Sequence, residues 1–306
     1  MKVVDVLFPL VLAALQVHQS GLLPERTYDF VEQFAGERAI SLGLEHFAYT
    51  GKSIDIREDP RYDFLTPGGF LLCLRVILLL KVGALCWLAP PCSTWVWISR
   101  ASSKRSRDEP LGVGHKSTDD ASTLATRVCH LVVFAFALGI KVIIEQPASS
   151  LLWEHPAFKQ VLRFIKAKEA DSDMGAFTGS SKKPLKFMGT IETINDLNRR
   201  CGPDDRKRIK TFGETTSTCH IGEDGTAKTT GNSDVLKNTA AYPVGFGAKV
   251  GLAFHKNYFP TYSVSQPAHT KEDLLKIMSA IECDIDDGEC FRDVGAWLSE
   301  PAVEEP

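Results

Sequence analysis

Cys92 and Glu145 are the two residues whose types and settings could do chemistry together. Cys92 follows an apolar run of strand length, residues 84–88, and the stop Pro90-Pro91. Proline has no N–H to give a sheet, so the strand ends there and the thiol stands at its tip. Glu145 follows a second apolar run, 141–144, and Gln146-Pro147 turns the chain directly after it. In open α/β sheets, ligands bind outside the carboxyl ends of the strands. A thiolate there is a nucleophile, and a carboxyl group beside it can give or take a proton. Most free cysteines are small core hydrophobes instead. Their place at strand tips is what sets Cys92 and Glu145 apart. Asp55 stands in the same way at the end of a short strand over 52–56.

The elements that must position these groups alternate. A strand over 28–34 is broken by Ala35-Gly36, and a helix over 37–47 carries Ile40, Leu44 and Phe47 on one face. Thr66-Pro67-Gly68-Gly69 opens an almost wholly apolar helix over 70–81. After Cys92 comes a polar loop over 99–118, rich in Ser, Arg and Lys. Thr118-Asp119-Asp120 then caps a strong helix that Gly139 ends. His155-Pro156 starts another helix, reaching about residue 165. The β-α-β-loop-α-β order predicts an α/β fold with a doubly wound sheet and helices on both faces.

Composition narrows the partners. The chain has 306 residues, a net charge of −3 and 24% charged residues, so it is no uniformly basic nucleic-acid binder. A basic surface must be local, and residues 159–210 supply one, with thirteen Lys/Arg against seven Asp/Glu. The eight cysteines form no Cys-x-x-Cys pair and have no zinc spacing with histidine, so no metal is expected and the thiols read as reduced. Lys2 and the apolar run 3–17 read either as a leader or as a packed helix. Asp5, Pro9 and the lack of a small-x-small site near residues 18–20 favour the helix. The run is shorter than the ~20 residues of a membrane span. The expected setting is intracellular, nuclear in a eukaryote.

Phe34-Ala35-Gly36 followed by Gly43-Leu44, Asp55, Pro90-Pro91-Cys92 and Glu145 form an ordered set. It resembles the S-adenosylmethionine-dependent cytosine-5 DNA methyltransferases over roughly residues 28–158. Gly231-Asn232-Ser233 and Tyr242-Pro243 are a looser echo of the family's closing block. Pro90-Pro91-Cys92 is the most specific element. The chain departs from the family in three places. Glu37-Arg38-Ala39 replaces the further glycines of the first block, Gln146-Pro147 replaces Asn-Val after the glutamate, and a Gln-x-Arg-x-Arg block is lacking.

The resemblance implies a Rossmann-like class I methyltransferase sheet with a small basic insertion. It makes Cys92 the nucleophile toward cytosine C6 and Glu145 its acid/base partner. Phe34, Ala35, Gly36, Asp55 and Pro90 would meet the cofactor, S-adenosylmethionine. Nucleic acid, DNA before RNA, is the implied partner, with Lys104, Arg105, Arg107, Lys182, Lys183, Arg199 and Arg200 as contacts. The implied organisation is a leader or packed helix (1–26), a catalytic core (27–165), a basic recognition-like region (166–237), a return to the core (238–262), and a helix with an acidic tail (263–306). A second reading keeps the fold and the nucleic-acid binding without catalysis, as in a derivative of a mobile element.

Overall fold

The computed structural model describes residues 25–113, 115–213, 217–221, 227–231, 239 and 241–258. The apolar run 3–17, Asn232-Ser233 and the helix and acidic tail expected over 263–306 lie outside the described residues. Six strands form one sheet in the order β2-β1-β3-β4-β6-β5. They are β1 (Tyr28–Gln33), β2 (Gly51–Ile54), β3 (Leu80–Leu88), β4 (Lys141–Pro147), β5 (Lys168–Asp173) and β6 (Pro184–Gly189). β2, β1, β3 and β4 are parallel, and β6 runs antiparallel to both β4 and β5.

The first half of the basic segment, beyond the expected boundary at residue 165, supplies β5 and β6 to the main sheet. Their apolar residues Ala170, Leu185 and Phe187 are buried while Lys168, Glu169 and Lys186 reach the surface. Two-residue alternation of this kind is what a half-covered antiparallel edge produces. A separate hairpin pairs β7 (Ser217–Ile221) with β8 (Ala227–Gly231).

Helices cover both faces, as the alternating element order requires. Successive strand residues point to opposite sides. Cys86, Leu88, Val142 and Ile144 face α2 (Pro67–Leu78), α3 (Lys116–Ala137) and α4 (Pro156–Phe164). Leu85, Trp87, Ile143 and Phe187 face the other side, with Ile40 and Leu44 of α1 (Ala39–Glu45) and Phe246, Val250 and Phe254 of α6 (Val244–Tyr258). α5 (Pro203–Phe212) packs Ile209 against this second cluster. Strands buried on both sides must be apolar throughout, and each large side chain so buried contributes about 1.5–3 kcal/mol. By length and composition α3 could cross a membrane, but most of its apolar window is buried inside this fold.

Local signals explain most element ends. Thr66 caps α2 through its Oγ1, which accepts from the Gly69 amide at 3.0 Å. α3 starts two residues earlier than Thr118-Asp119-Asp120 predicts. Its cap is His115, whose Nδ1 accepts from the Ser117 amide at 3.3 Å. α1 and α6 cross with their backbones in contact, because the crossing is lined by glycine. A Cβ on Gly43 would lie 2.0 Å from the Gly247 carbonyl oxygen, and one on Gly247 would lie 1.9 Å from that of Ala39. The glycines of α6 form a small-residue packing face, and this crossing fixes where the amino end of α6 points.

Candidate functional site

The chain reverses direction between β1 and β3. From β1 it proceeds outward to β2, then returns to lay β3 on the opposite side. In open α/β sheets the crevice at the carboxyl ends of two such strands is the place for a ligand. Here that crevice is bordered by the turn after β1, residues 34–38, and by the turn after β3, which holds Pro90 and Cys92.

The turn after β1 is left-handed at three alternating positions, Phe34 (φ 62°), Gly36 (φ 56°) and Arg38 (φ 58°). Non-glycine residues rarely adopt this conformation, so the surroundings must hold it. Asp55 does so. Its Oδ2 accepts from the Gly36 amide at 2.8 Å and its Oδ1 from the Arg57 amide at 2.9 Å, and these bonds with the Arg57 charge hold its carboxyl below the usual range against the opposing effect of burial. Ala35 is buried and Phe34 packs on Phe64, with ring centroids 4.5 Å apart. Arg38 turns onto the edge strand: its Nε donates to Ser53 Oγ at 2.9 Å and its Nη2 to Glu45 Oε1 at 3.0 Å.

The turn after β3 is held from two sides. Gln146 donates from Nε2 to the carbonyl of Pro90, and its Oε1 accepts from Ser150 Oγ at 3.0 Å. Gln146 therefore ties the Cys92 turn to the end of β4, so the departure from Asn-Val retains an ordering amide. Downstream, the Trp95 amide donates to the Cys92 carbonyl at 2.9 Å, and the Leu151 amide donates to the Trp95 carbonyl at 2.9 Å.

Cys92 follows the end of β3, and Glu145 lies within the adjacent parallel strand β4, which continues through Pro147 and pairs Glu145 with Phe187 of β6; the Glu145 charge acts on the thiol. Burial pushes the Cys92 thiol up, the Glu145 charge adds to this, and the Lys183 ammonium opposes both. Burial likewise pushes the Glu145 carboxyl up, while Lys183 and the Tyr242 hydroxyl draw it down. Tyr242 Oη donates to Glu145 Oε2 at 2.7 Å. Its ring stands edge-on to that of Trp87, with centroids 6.1 Å apart. Glu32 lies on the same sheet face, paired in register with Trp87. Its Oε2 accepts from the amide and Oγ of Ser41 at 2.8 and 2.6 Å, its Oε1 is buried without a hydrogen-bond partner among the described residues, and burial pushes its carboxyl up to about 7.

The residues expected to contact nucleic acid divide. Lys104, Arg107, Lys182, Arg199 and Arg200 are exposed. Arg199 covers the Phe177 ring at 4.9 Å, and Arg200 pairs with Asp171 at 3.0 Å and Asp173 at 3.3 Å. Arg105 is a correction. It is 1% exposed, its guanidinium lies 3.4 Å from the Trp95 ring centroid, and it donates to the carbonyls of Pro110, Leu111 and Thr118 and to Ser122 Oγ. It holds the loop together and cannot reach a phosphate. Lys183 is half-buried: its ammonium donates to the Thr239 carbonyl at 2.8 Å and lies 5.7 Å from the Tyr242 ring centroid, on the side of Glu145.

Tyr242 and Glu32 were not legible as site residues. Tyr242 reads as a helix opener in sequence, and only the α1–α6 crossing brings it to Glu145. Glu32-Gln33 did carry a signal, being two polar residues inside an otherwise buried strand. No family model matches this chain, and no curated protein matches it.

Proposed function

We propose that this chain is an S-adenosylmethionine-dependent methyltransferase with a Rossmann-like class I sheet, acting on cytosine C5 in nucleic acid, DNA before RNA. The observation that carries this reading is the pairing of Cys92, just past β3, with Glu145 of the adjacent β4 beside the crevice. Cytosine C5 is a poor nucleophile unaided. Cys92 first gives its thiol proton to solvent; as the thiolate Sγ bonds to C6, the C5–C6 π electrons shift into the ring toward N3, and Glu145 gives N3 a proton. Burial favours the neutral form of Glu145, the form with a proton to give. C5 is then enamine-like and nucleophilic. After methylation, loss of the C5 proton to solvent re-forms the ring double bond and expels Sγ, and Glu145 recovers its proton from N3. A base inside a duplex must be extruded to reach the thiol, at a cost of a few kcal/mol.

S-adenosylmethionine, when bound, supplies the methyl group as an electrophile. The residues of the crevice fit that group. Gly36 presents bare backbone at a left-handed turn, and a Cβ there would come within 3.0 Å of Arg57 Nη2. Asp55 sits against this turn: its Oδ1 accepts from both the amide and Nε of Arg57, and its Oδ2 from the Gly36 amide, which leaves one Oδ2 lone pair for a ribose hydroxyl. Arg38 is engaged with Ser53 and Glu45. Phe34, Ala35, Gly36, Asp55 and Pro90 are the residues that would hold the cofactor. Lys104, Arg107 and Lys182 are exposed cations suited to phosphates.

The test is trapping on an oligonucleotide containing 5-fluorocytosine, with S-adenosylmethionine present. Fluorine at C5 blocks the elimination, so an active enzyme stays attached through denaturation. An adduct with the wild-type chain and none with Cys92→Ser supports the reading. No adduct with any DNA or RNA supports the non-catalytic reading instead.

A further inference from the structure

A thiol just past one strand and a carboxyl within its neighbour oppose one another. Each makes the charged form of the other less favourable, so a nucleophilic Cys92 needs a positive charge close by. Lys183 supplies one by an unusual route. Its backbone lies at φ 32°, in the left-handed region that non-glycine residues avoid. The conformation is held on both sides: the Met174 amide donates to the Lys183 carbonyl at 3.1 Å, and the Ala148 amide donates to that of Pro184 at 3.0 Å. Lys182 is exposed, whereas Lys183 turns inward. The Lys183 ammonium donates to the Thr239 carbonyl at 2.8 Å and lies 5.7 Å from the centroid of the Tyr242 ring. Tyr242 is in turn bonded to Glu145. Backbone strain that places a side chain at a site is characteristic of functional positions.

We infer that Lys183 is a positioning residue of this site: its ammonium, held by Thr239 over the Tyr242 ring, supplies the positive charge on which attack by Cys92 depends. The inference rests on the reading of Cys92 as a nucleophile. The basic side chains nearby have other tasks. Arg199 covers Phe177, Arg200 pairs with Asp171 and Asp173, and Arg208 donates to the carbonyls of Gly175, Thr178 and Gly179. Among the described residues, the titratable groups around the thiol are Glu145 from β4, Lys183 from the turn before β6, and Tyr242 from the segment before α6. Glu32 of β1 lies beyond Tyr242 and acts on it.

The test reads the thiol directly, with iodoacetamide on the full chain. Cys92 Sγ bonds to the reagent's methylene carbon, the carbon–iodine bond breaks, iodide leaves and the thiol proton passes to solvent. Modification of the Cys92 peptide is followed by mass spectrometry across pH. Lys183→Met moves the midpoint up by about one pH unit. Below the midpoint it slows the reaction about threefold, since the higher-pKa thiolate regains part of the loss in nucleophilicity. Glu145→Gln moves the midpoint down, and Lys183→Arg leaves it near the wild-type position. If Lys183→Met does not fold, Lys183→Gln, which keeps a donor for the Thr239 carbonyl, carries the same expectation.

A midpoint unmoved by loss of the Lys183 charge, or moved in the same direction as by Glu145→Gln, overturns the inference. The assay uses neither methyl donor nor nucleic acid. Its failure is therefore distinct from failure of the 5-fluorocytosine trap.

Discussion

Tyr242 and Glu145, 97 residues apart in the chain, are joined by a 2.7 Å hydrogen bond from the phenol to Oε2. The bond links the amino end of α6 to β4. It places the acid/base candidate under the control of α6, the helix that crosses α1 on the same sheet face. Glu145 thus answers to two elements, its own strand and α6, and its geometry depends on how α6 crosses α1.

That dependence is open to a stability measurement. Gly247→Ala puts a methyl carbon 1.9 Å from the Ala39 carbonyl oxygen, where backbone cannot give way. We expect a loss of about 3 kcal/mol in denaturant unfolding. Gly68→Ala, in α2, meets nothing within 4 Å and is expected to be neutral or slightly stabilising. Equal effects from the two substitutions would remove the close helix crossing from the account.

In the polar loop after Cys92, Arg105 is structural, while Lys104 and Arg107 are exposed. Arg105→Ala strands the three carbonyls it serves and should cost about 2–4 kcal/mol of stability. Lys104→Ala and Arg107→Ala should leave the melting temperature unchanged. Each should weaken DNA binding and reduce the slope of log affinity against log salt by about 1. Titrations at several salt concentrations separate the two roles. A stable Arg105→Ala chain with a reduced salt slope would reverse the assignment.

Glu32 makes stability depend on pH with a definite sign. Its carboxyl titrates near 7 in the folded chain, against an ordinary value of 4.5, because it is buried. The folded state therefore holds the proton more tightly. Ionisation costs stability progressively as pH rises from about 4.5 to 7, reaching roughly 3 kcal/mol above that window. Glu32→Gln keeps an oxygen for the Ser41 amide and hydroxyl and never ionises. It should melt higher than wild type at pH 8, and the advantage should disappear by pH 4.5. An advantage that is constant with pH would show that Glu32 is not ionising in this range.

The parts of this fold visible in the sequence are those with local causes. Pro90-Pro91 ends a strand because of proline's own geometry, so the position of Cys92 could be read directly. The same rule places Glu145 from Gln146-Pro147, but there the rule fails: β4 continues through Pro147, because the pairing with β6 carries the strand past it. The apolar strands buried on both faces, and the Thr66 cap, announced helices on both sides of a sheet. The remaining features needed tertiary context. Arg105 looks like its exposed neighbours Lys104 and Arg107, and only the packing of Trp95 buries it. Lys183 looks like Lys182, and a left-handed backbone angle alone turns it inward. β5 and β6 were hidden in a basic stretch because an edge strand with one wet face carries its charges on alternate residues.

The central claim is that Cys92 attacks cytosine C6. The most direct measurement is peptide mass spectrometry of the chain after reaction with a 5-fluorocytosine oligonucleotide and S-adenosylmethionine. The Cys92 peptide is expected to carry a methylated fluoropyrimidine nucleotide, and the Cys92→Ser chain none. Recovery of the Cys92 peptide unmodified, with every DNA and RNA substrate tried and the chain shown to bind both nucleic acid and methyl donor, would contradict it.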